Sequence, residues 1–289
     1  MSNRAERKRV ASSTLEIINA GVYSLPDGKT IKIKSDIERC DMHTKVLDRN
    51  DWDVLFAKLA SNDQSEDSHE MNFEKTKFEV TSEYSISCCR RLHQEGYENI
   101  TCLNFASAKN PCGGMIGGAL AQEESLGLCS ALYSSLVKQD SHYKSNRQNP
   151  KDGLYQDSLI YSPECVIFRD DADYAFLEHP YKVNFISCPA VNRSVKRLDV
   201  SMVTDTMLRR AKAILAVAGD RGCDALVLGA WGTGVFQNDV KDIVSYFKEY
   251  LAPNQQESRM FENVFRTVVF AIGSDKQKHV EFKSAFSPT

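Results

Sequence analysis

Two apolar strands, each followed at once by a glycine-rich turn and a helix, constrain the fold more than any other feature of the sequence. The strands are predicted over 100–105 and 225–230, and both are apolar almost throughout. Strands of this kind are usually buried on both faces, in a mostly parallel sheet between two layers of helices. Ligands of such sheets bind beyond the carboxyl ends of the strands. The glycine turns at 112–118 and 231–236 therefore predict where a site lies.

The rest of the chain continues the alternation of helices and strands. Helices are predicted over 4–20, 52–59, 82–95, 122–137, 201–218, 239–250 and 276–286, with a shorter helical pattern between 36 and 51. Strands are predicted over 77–81, 183–188 and 264–272, and a hairpin over 22–33. The stretch 159–167 is predicted to be one strand or a hairpin around Pro163. Polar composition predicts loops over 61–72 and 142–155. The pattern is typical of an α/β fold.

Composition excludes several classes of protein. A net charge of −3 gives no general attraction to bare nucleic acid or to an anionic membrane, and no apolar run is long enough to span a bilayer. The basic N-terminus is not followed by the apolar region of a secretory signal. Nine cysteines without a CxxC pair predict reduced thiols and a cytoplasmic protein, or a nuclear one in a eukaryote. The six histidines lack zinc-ligand spacings, so neither a metal nor a cofactor is predicted.

The first glycine turn, with Gly113 and Gly114, allows backbone amides to approach a ligand closely. Successive amides and the start of the following helix favour an anion such as a phosphate or diphosphate. A tight strand-to-helix turn without a ligand explains the same glycines equally well. The turn matches neither of the common nucleotide-binding motifs, GxxxxGK[ST] and GxGxxG.

Gln122, Glu123 and Glu124 form a polar group at the start of an otherwise apolar helix. The two carboxylates could simply favour the helix dipole. Beside an anion-binding turn, however, like charge and partial burial are expected to raise the pKa of one of them toward that of a general acid. Paired carboxylates also suit cleavage of a glycosidic bond. These arguments favour a catalytic role.

The second turn is expected to enclose the phosphates from the opposite side, through Gly232, Thr233, Gly234 and Val235. Phe236 ends this turn and either contacts a sugar or base or belongs to the core. Three further aromatic residues are interpreted as packing or solvent-facing: His142, Tyr143 and Tyr155.

Several stretches together resemble the bacterial-type poly(ADP-ribose) glycohydrolases. They are NFASAKNP, the glycine turn with QEE, LIYSPECVIFRDD, ALVLGAWGTGVFQND and the strand VVFAI. The resemblance covers roughly residues 5–287. It implies a macrodomain-like three-layer α/β/α fold with a mixed, mostly parallel central sheet and an added N-terminal helical region. The implied division is an N-terminal extension over 1–76, packed on a catalytic domain over 77–289.

The resemblance also implies an activity, hydrolysis of the ribose–ribose O-glycosidic bond of poly(ADP-ribose) with ADP-ribose as product. Cleavage from chain ends is expected. In that family the second glutamate of QEE is the acid/base and the first orients the ribose, which corresponds to Glu124 and Glu123 here. Phe236 would lie beside the scissile ribose. The remaining implied ligand-binding residues are Asn110, Gly113, Gly114, Gln122, Gly232, Thr233, Gly234 and Val235.

Two positions depart from the family pattern. Cys112 stands where the family has the first glycine of GGG, and Thr233 stands where a cysteine is frequent. A side chain at position 112 disfavours positive φ and is expected to crowd the ligand. Two alternatives therefore remain, a mono-ADP-ribosyl hydrolase and a non-catalytic ADP-ribose-binding macrodomain. The expected partners are poly(ADP-ribose) or ADP-ribosylated macromolecules, and a monomer is expected because no heptad pattern is present.

Overall fold

A computed structural model describes residues 3–61, 73–148, 153–195, 198–252 and 260–286. The strands are β1 (Val22–Ser24), β2 (Thr30–Lys32), β3 (Lys45–Asp48), β4 (Lys77–Thr81), β5 (Ile100–Asn104), β6 (Ser158–Arg169), β7 (Phe176–Ser187), β8 (Ala225–Leu228) and β9 (Thr267–Ala271). The helices are α1 (Arg4–Ala20), α2 (Lys34–His43), α3 (Arg49–Ser61), α4 (Ser85–Gln94), α5 (Gln122–Cys129), α6 (Leu132–Val137), α7 (Asp140–Gln148), α8 (Val200–Asp220), α9 (Val240–Leu251) and α10 (Lys276–Phe286).

Seven of these strands form the central sheet, in the order β3-β6-β7-β5-β8-β9-β4. The pairings from β7 to β4 are parallel, whereas β6 is antiparallel to both β3 and β7. The prediction of a mixed, mostly parallel sheet is therefore confirmed. Because β6 runs against the others, its first residues lie at the same edge of the sheet as the carboxyl ends of β5, β7 and β8.

Alternate strand residues pack on opposite faces of the sheet, as the two-residue period of a strand requires. Cys102 and Val227 face a core shared with α1, α2, α4, α5 and α6. Leu103 and Leu226 face a second core shared with α3, α8, α9 and α10. Both faces are therefore covered, which confirms the predicted three-layer α/β/α fold.

The N-terminal segment is partly integrated into this sheet. Helix α1 begins with a capping box between Asn3 and Glu6 and ends at Gly21, whose φ of 69° suits a glycine. The hairpin β1–β2 follows as predicted. Strand β3 was not predicted, and it forms one edge of the central sheet by pairing with β6. The division into domains at residue 76 stays a prediction.

Several sequence predictions are wrong in detail. The supposed loop over 142–155 begins with helix α7, whose inward face buries Tyr143 and Asn146. The helix predicted over 122–137 is two helices, because Ser130 adopts an extended conformation and bridges to Ile167 of β6. Helix α8 begins at Val200, after the side-chain cap Asp199, and not at residue 201. Most of the loop predicted over 61–72 lies outside the described residues.

Among the described residues, no helix combines the length and the apolar character needed to cross a membrane.

Candidate active site

The first glycine turn leaves the carboxyl end of β5 and leads into α5. Its backbone is compact, since the Gly113 N–H donates to the Asn110 carbonyl at 3.0 Å and a short 3-10 helix spans Met115–Gly117. Gly113 and Gly118 have φ angles of 55° and 73°, which glycine adopts without strain. The turn thereby folds back over the start of α5.

Glu124 lies beneath this turn and is only 8% exposed. Its Oε1 accepts the Gly114 N–H at 2.9 Å, and its Oε2 accepts the Ala121 N–H at 3.0 Å. Two backbone donors from opposite ends of the turn thus fix the carboxylate. Glu124 is held by main-chain geometry and does not depend on another side chain for its position.

Glu123 is buried beside it, with 4% of its surface exposed. Its Oε2 accepts the Ser107 N–H at 2.7 Å, and the Asn104 amide donates to Oε1 at 3.4 Å. Burial raises the pKa of Glu123 to about 8, the neighbouring charge of Glu124 adds to this rise, and the hydrogen bond from Ser107 opposes it. The pair was expected to contain one carboxyl with a raised pKa. That residue is Glu123, the one to which the resemblance gives the orienting role.

Gly113 contacts both carboxylates closely. A Cβ atom added to Gly113 would lie 2.5 Å from Oε1 of Glu124 and 3.1 Å from Oε2 of Glu123. Gly114 is also close, since its added Cβ would lie 2.9 Å from the side chain of Ala119. The turn can therefore approach the carboxylates this closely only with glycine at position 113.

The Gln122 side chain joins the end of β5 to α4 and α5. Its Oε1 accepts the Phe105 N–H at 2.9 Å, and its Nε2 donates to the Leu103 carbonyl at 2.8 Å and to the Ser85 hydroxyl at 3.1 Å. Both amide hydrogens are thus used within the protein. Asn110 is exposed, and its backbone takes part in the turn through Gly113 and the Ser107 hydroxyl.

Cys112 has the positive φ of 50° that its side chain disfavours. The thiol nevertheless points into the core, because a Cβ atom added to Gly127 of α5 would lie 2.8 Å from its sulfur. The side chain is fully buried, and burial raises the pKa of the Cys112 thiol well above its usual value. The expectation that Cys112 disfavours this backbone stands, but its side chain occupies space behind the turn.

Helix α1 binds the end of the same turn, at Gly117 and Gly118. The sequence analysis did not predict this contact. Arg4 Nε donates to the Gly117 carbonyl at 2.9 Å, and Arg7 Nε donates to the Gly118 carbonyl at 3.0 Å. Farther along α1, the Thr14 hydroxyl donates to the Leu128 carbonyl of α5 at 2.9 Å. The N-terminal helix is thus in direct contact with the candidate site.

The second glycine turn follows β8 at the same edge of the sheet. Gly232 has a φ of 72° and packs against Ala190, whose Cβ would lie 2.4 Å from a Cβ at position 232. The Thr233 hydroxyl donates to the Ala230 carbonyl at 2.8 Å. Gly234 has open space around it, and Val235 is 81% exposed. The tip of this turn is therefore accessible to a ligand.

One aromatic residue lies between the two turns. The Tyr155 ring is 5.9 Å from the ring of Phe236, and the Lys109 ammonium lies 5.7 Å from the Tyr155 ring centroid. Tyr155 was interpreted as a packing or solvent-facing residue. The direction of β6 would have indicated its position. Because β6 runs antiparallel to β7, the residues that precede β6 lie at the edge of the sheet where β5, β7 and β8 end.

Within the described ranges, no group of three or more His, Cys, Asp and Glu side chains is arranged to hold a metal ion. The candidate site consists of the buried carboxylates Glu123 and Glu124, the two glycine turns, and the aromatic pair Tyr155 and Phe236.

Comparisons with known proteins identify the family of the chain. The family profile described as microbial-type PARG, catalytic domain, matches residues 11–170. The chain belongs to the microbial-type poly(ADP-ribose) glycohydrolase family. It is therefore a member of a glycosidase family, as the resemblance in its sequence implied. No curated protein matches the chain significantly.

Solved structures of poly(ADP-ribose) glycohydrolases resemble the chain over nearly its whole length. The enzyme from Thermomonospora curvata is 35% identical over 97% of this chain and 99% of that one, with a TM-score of 0.88. The same enzyme with the inhibitor ADP-HPD has a TM-score of 0.85 at the same identity and coverage. The enzyme from Deinococcus radiodurans, in complex with ADP-ribose, is 35% identical over 89% of this chain and 99% of that one, with a TM-score of 0.76.

Proposed function

We propose that this protein is a poly(ADP-ribose) glycohydrolase, which hydrolyses the ribose–ribose O-glycosidic bond and releases ADP-ribose. The observation that carries the proposal is the buried pair Glu123 and Glu124, held against a glycine turn at the carboxyl edge of a parallel sheet. Family membership and the ligands bound in the related structures support it.

Glu124 is the proposed acid/base. In its protonated form it donates a proton to the departing ribose oxygen, and the neighbouring diphosphate stabilises the oxocarbenium-like cation that develops. The resulting carboxylate then activates a water molecule for attack on the sugar. General acid–base help of this kind contributes about 10²–10⁴ in rate. The hydrogen bonds from Gly114 and Ala121 keep the carboxyl in place throughout.

Glu123 is proposed to orient the ribose through its hydroxyl groups. Burial raises its pKa to about 8, so it is mainly protonated at neutral pH. A protonated Glu123 can both donate to and accept from a sugar hydroxyl. It also removes one negative charge from a pocket that must accept a diphosphate next to Glu124.

The two glycine turns are proposed to hold the diphosphate. Backbone amides and the start of α5 supply positive potential without a basic side chain, which suits a chain whose net charge is −3. The proposed contacts come from Gly232, Thr233, Gly234 and Val235. Gly113 and Gly114 are proposed to border the diphosphate without donating to it, because their N–H groups already donate to the Asn110 carbonyl and to Glu124.

Phe236 is proposed to lie beside the scissile ribose. Asn110 and Gln122 were predicted to contact the ligand as well. The hydrogen bonds of Gln122 to Phe105 and Leu103 favour a role in positioning Glu123 and Glu124 at the start of α5.

We further expect a monomer that acts in the cytoplasm on polymer ends. All nine cysteines are buried free thiols, which suits a reducing compartment. The N-terminal region, which contacts the first turn through Arg4 and Arg7, is expected to close one end of the cleft. Closure at that end favours terminal ADP-ribose units over internal ones.

The test is to incubate the protein separately with poly(ADP-ribose) and with mono-ADP-ribosylated acceptors, and to measure free ADP-ribose. Release from the polymer supports the proposal, whereas release only from mono-modified acceptors would replace it with mono-ADP-ribosyl hydrolysis. Binding without release would identify a non-catalytic ADP-ribose-binding protein. Glu124→Gln is expected to abolish turnover and to keep ADP-ribose binding. The exposed glutamate of α2 provides the matched control, Glu38→Gln, which should keep full activity.

A further inference from the structure

Tyr155 is held in a backbone conformation that its side chain disfavours. Its φ is 60°, in the left-handed region that bulky residues rarely adopt. Such conformations persist only where the surroundings over-determine them, and they cluster at functional sites. The contacts of Tyr155 therefore show which part of the candidate site depends on this backbone conformation.

A buried arginine fixes the segment that contains Tyr155. Arg210 of α8 is 0% exposed, and its Nη2 donates to three consecutive carbonyls, those of Leu154 at 2.6 Å, Tyr155 at 3.2 Å and Gln156 at 3.1 Å. Its Nε pairs with Asp157 at 3.1 Å, so the buried charge is compensated. Four consecutive residues are thus tied to one side chain.

The same arginine also holds the loop that supports the second glycine turn. Arg210 Nη1 donates to the Pro189 carbonyl at 3.0 Å. Downstream in this loop, the Asn192 amide donates to the Tyr155 hydroxyl at 3.3 Å, and the Arg193 N–H donates to the Phe236 carbonyl at 2.9 Å. Tyr155 and Phe236 are therefore anchored to one loop and are fixed relative to each other.

Packing alone does not confine this segment, because one side of it borders open space. A surface cavity of about 430 Å³ lies there, and its described lining comes from 48–50, 154–157 and Thr206. The hydrogen bonds from Arg210 hold the backbone of this segment beside the cavity. The Tyr155 ring centroid lies 5.9 Å from that of Phe236 and 5.7 Å from the Lys109 ammonium.

We propose that Tyr155 is a positioning residue that acts through Phe236. Its ring supports the Phe236 ring, which in turn keeps the ribose at the scissile bond within reach of Glu124. This role rests on the proposed glycohydrolase function. Since misplacing a reacting group by about 1 Å can cost roughly 100-fold in rate, loss of the support is expected to reduce kcat more than binding.

The first experiment compares Tyr155→Leu with Tyr155→Phe. Tyr155→Leu is expected to lower kcat for ADP-ribose release by about 10- to 100-fold and to change the Kd for ADP-ribose by less than about threefold. Tyr155→Phe keeps the ring and is expected to restore kcat. A wild-type kcat in Tyr155→Leu would overturn the proposal, as would a change confined to the Kd.

Tyr174 provides the matched control for loss of a tyrosine at a left-handed position. Its φ is 61°, and it lies in the turn between β6 and β7, at the opposite edge of the sheet. Tyr174→Leu is expected to lower Tm while kcat per folded molecule stays at the wild-type value. If Tyr155→Leu and Tyr174→Leu lower Tm and kcat in parallel, Tyr155 is merely structural and the proposal fails.

A second measurement tests the support of Phe236 by Tyr155 without relying on the proposed glycohydrolase activity. With 4-fluorophenylalanine incorporated at position 236, the ¹⁹F resonance should be a single line in otherwise wild-type protein. It should broaden or split in Tyr155→Leu and return to a single line in Tyr155→Phe. An unchanged resonance in Tyr155→Leu would refute the support of Phe236 by Tyr155. If the wild-type protein releases no ADP-ribose from polymer, the proposed function fails while the resonance still reports on this contact.

Discussion

Gly113 lies so close to Glu124 that an added Cβ atom would be 2.5 Å from the carboxylate Oε1. Gly113→Ala must therefore displace Glu124 or open the turn, and the φ of 55° adds backbone strain. We expect ADP-ribose release to fall by about 100-fold or more, since Glu124, the proposed acid/base, would leave its position. Turnover of poly(ADP-ribose) under saturating conditions measures the effect.

The control for this substitution is Gly28→Ala in the β1–β2 hairpin. Gly28 has a φ of 86°, but an added Cβ atom would meet nothing within 4 Å. Gly28→Ala should therefore reproduce the strain of an alanine at positive φ, on the order of 1–2 kcal/mol, and leave turnover unchanged. Equal losses of activity in the two variants would show that strain and not the contact with Glu124 is responsible.

Cys112→Gly tests whether the departure from the family's glycine affects the ligand. The thiol is fully buried behind the turn, against Gly127 of α5. Glycine would relieve about 1–2 kcal/mol of strain at a φ of 50° and would lose the packing of the thiol. We therefore expect kcat/KM to stay within about threefold of the wild-type value, which is less than 1 kcal/mol in transition-state binding. A gain of tenfold or more would contradict this and restore the idea that Cys112 crowds the ligand.

The features of local geometry that the sequence predicted correctly depend on short-range patterns. A glycine turn after an apolar strand, followed by carboxylates at a helix start, lies within about 25 consecutive residues, and parallel strands bring two such turns to one edge. The left-handed glycines and the start of α5 at Gln122 follow from the same short-range preferences.

The parts that were missed depend on contacts between distant segments. Helix α7 is so polar that its buried face, with Tyr143 and Asn146, becomes evident only when it packs. Pro163 suggested a break in β6, but the strand continues because Glu164 adopts a φ of 46° and its N–H donates to Asn184 at 2.8 Å. No local pattern predicts that Arg210 binds carbonyls more than 50 positions away.

The contacts of Arg4 and Arg7 with the first turn predict that α1 supports catalysis. These two guanidinium groups bind the carbonyls of Gly117 and Gly118, at 2.9 and 3.0 Å. The double variant Arg4→Ala/Arg7→Ala should lower turnover by up to roughly 5- to 150-fold, because the two lost hydrogen bonds are together worth about 1–3 kcal/mol to the turn. Steady-state release of ADP-ribose gives the comparison.

Arg9 provides the control on the same helix. It is exposed, and removing it changes the net charge of α1 by the same amount as removing one of the other two arginines. Arg9→Ala is therefore expected to retain wild-type turnover. If Arg9→Ala loses as much activity as the double variant, the loss is due to weaker attraction between α1 and the polyanionic substrate. Loss of the hydrogen bonds to the turn would then not explain it.

The raised pKa of Glu123 predicts how the stability of the protein depends on pH. Burial raises this pKa from 4.5 to about 8 in the folded protein. Between these values the folded protein keeps a proton that the unfolded chain loses. The contribution of Glu123 is therefore fully present below pH 4.5, is lost as the pH rises to about 8, and is constant above that. Glu123→Gln removes the titration, and each unit of pKa shift is worth about 1.4 kcal/mol. Between pH 5 and pH 9 the wild-type protein should thus lose a few kcal/mol of unfolding free energy relative to Glu123→Gln. Urea unfolding of both proteins at each pH measures this difference. If the unfolding free energies of the two proteins change in parallel with pH, the raised pKa of Glu123 is contradicted.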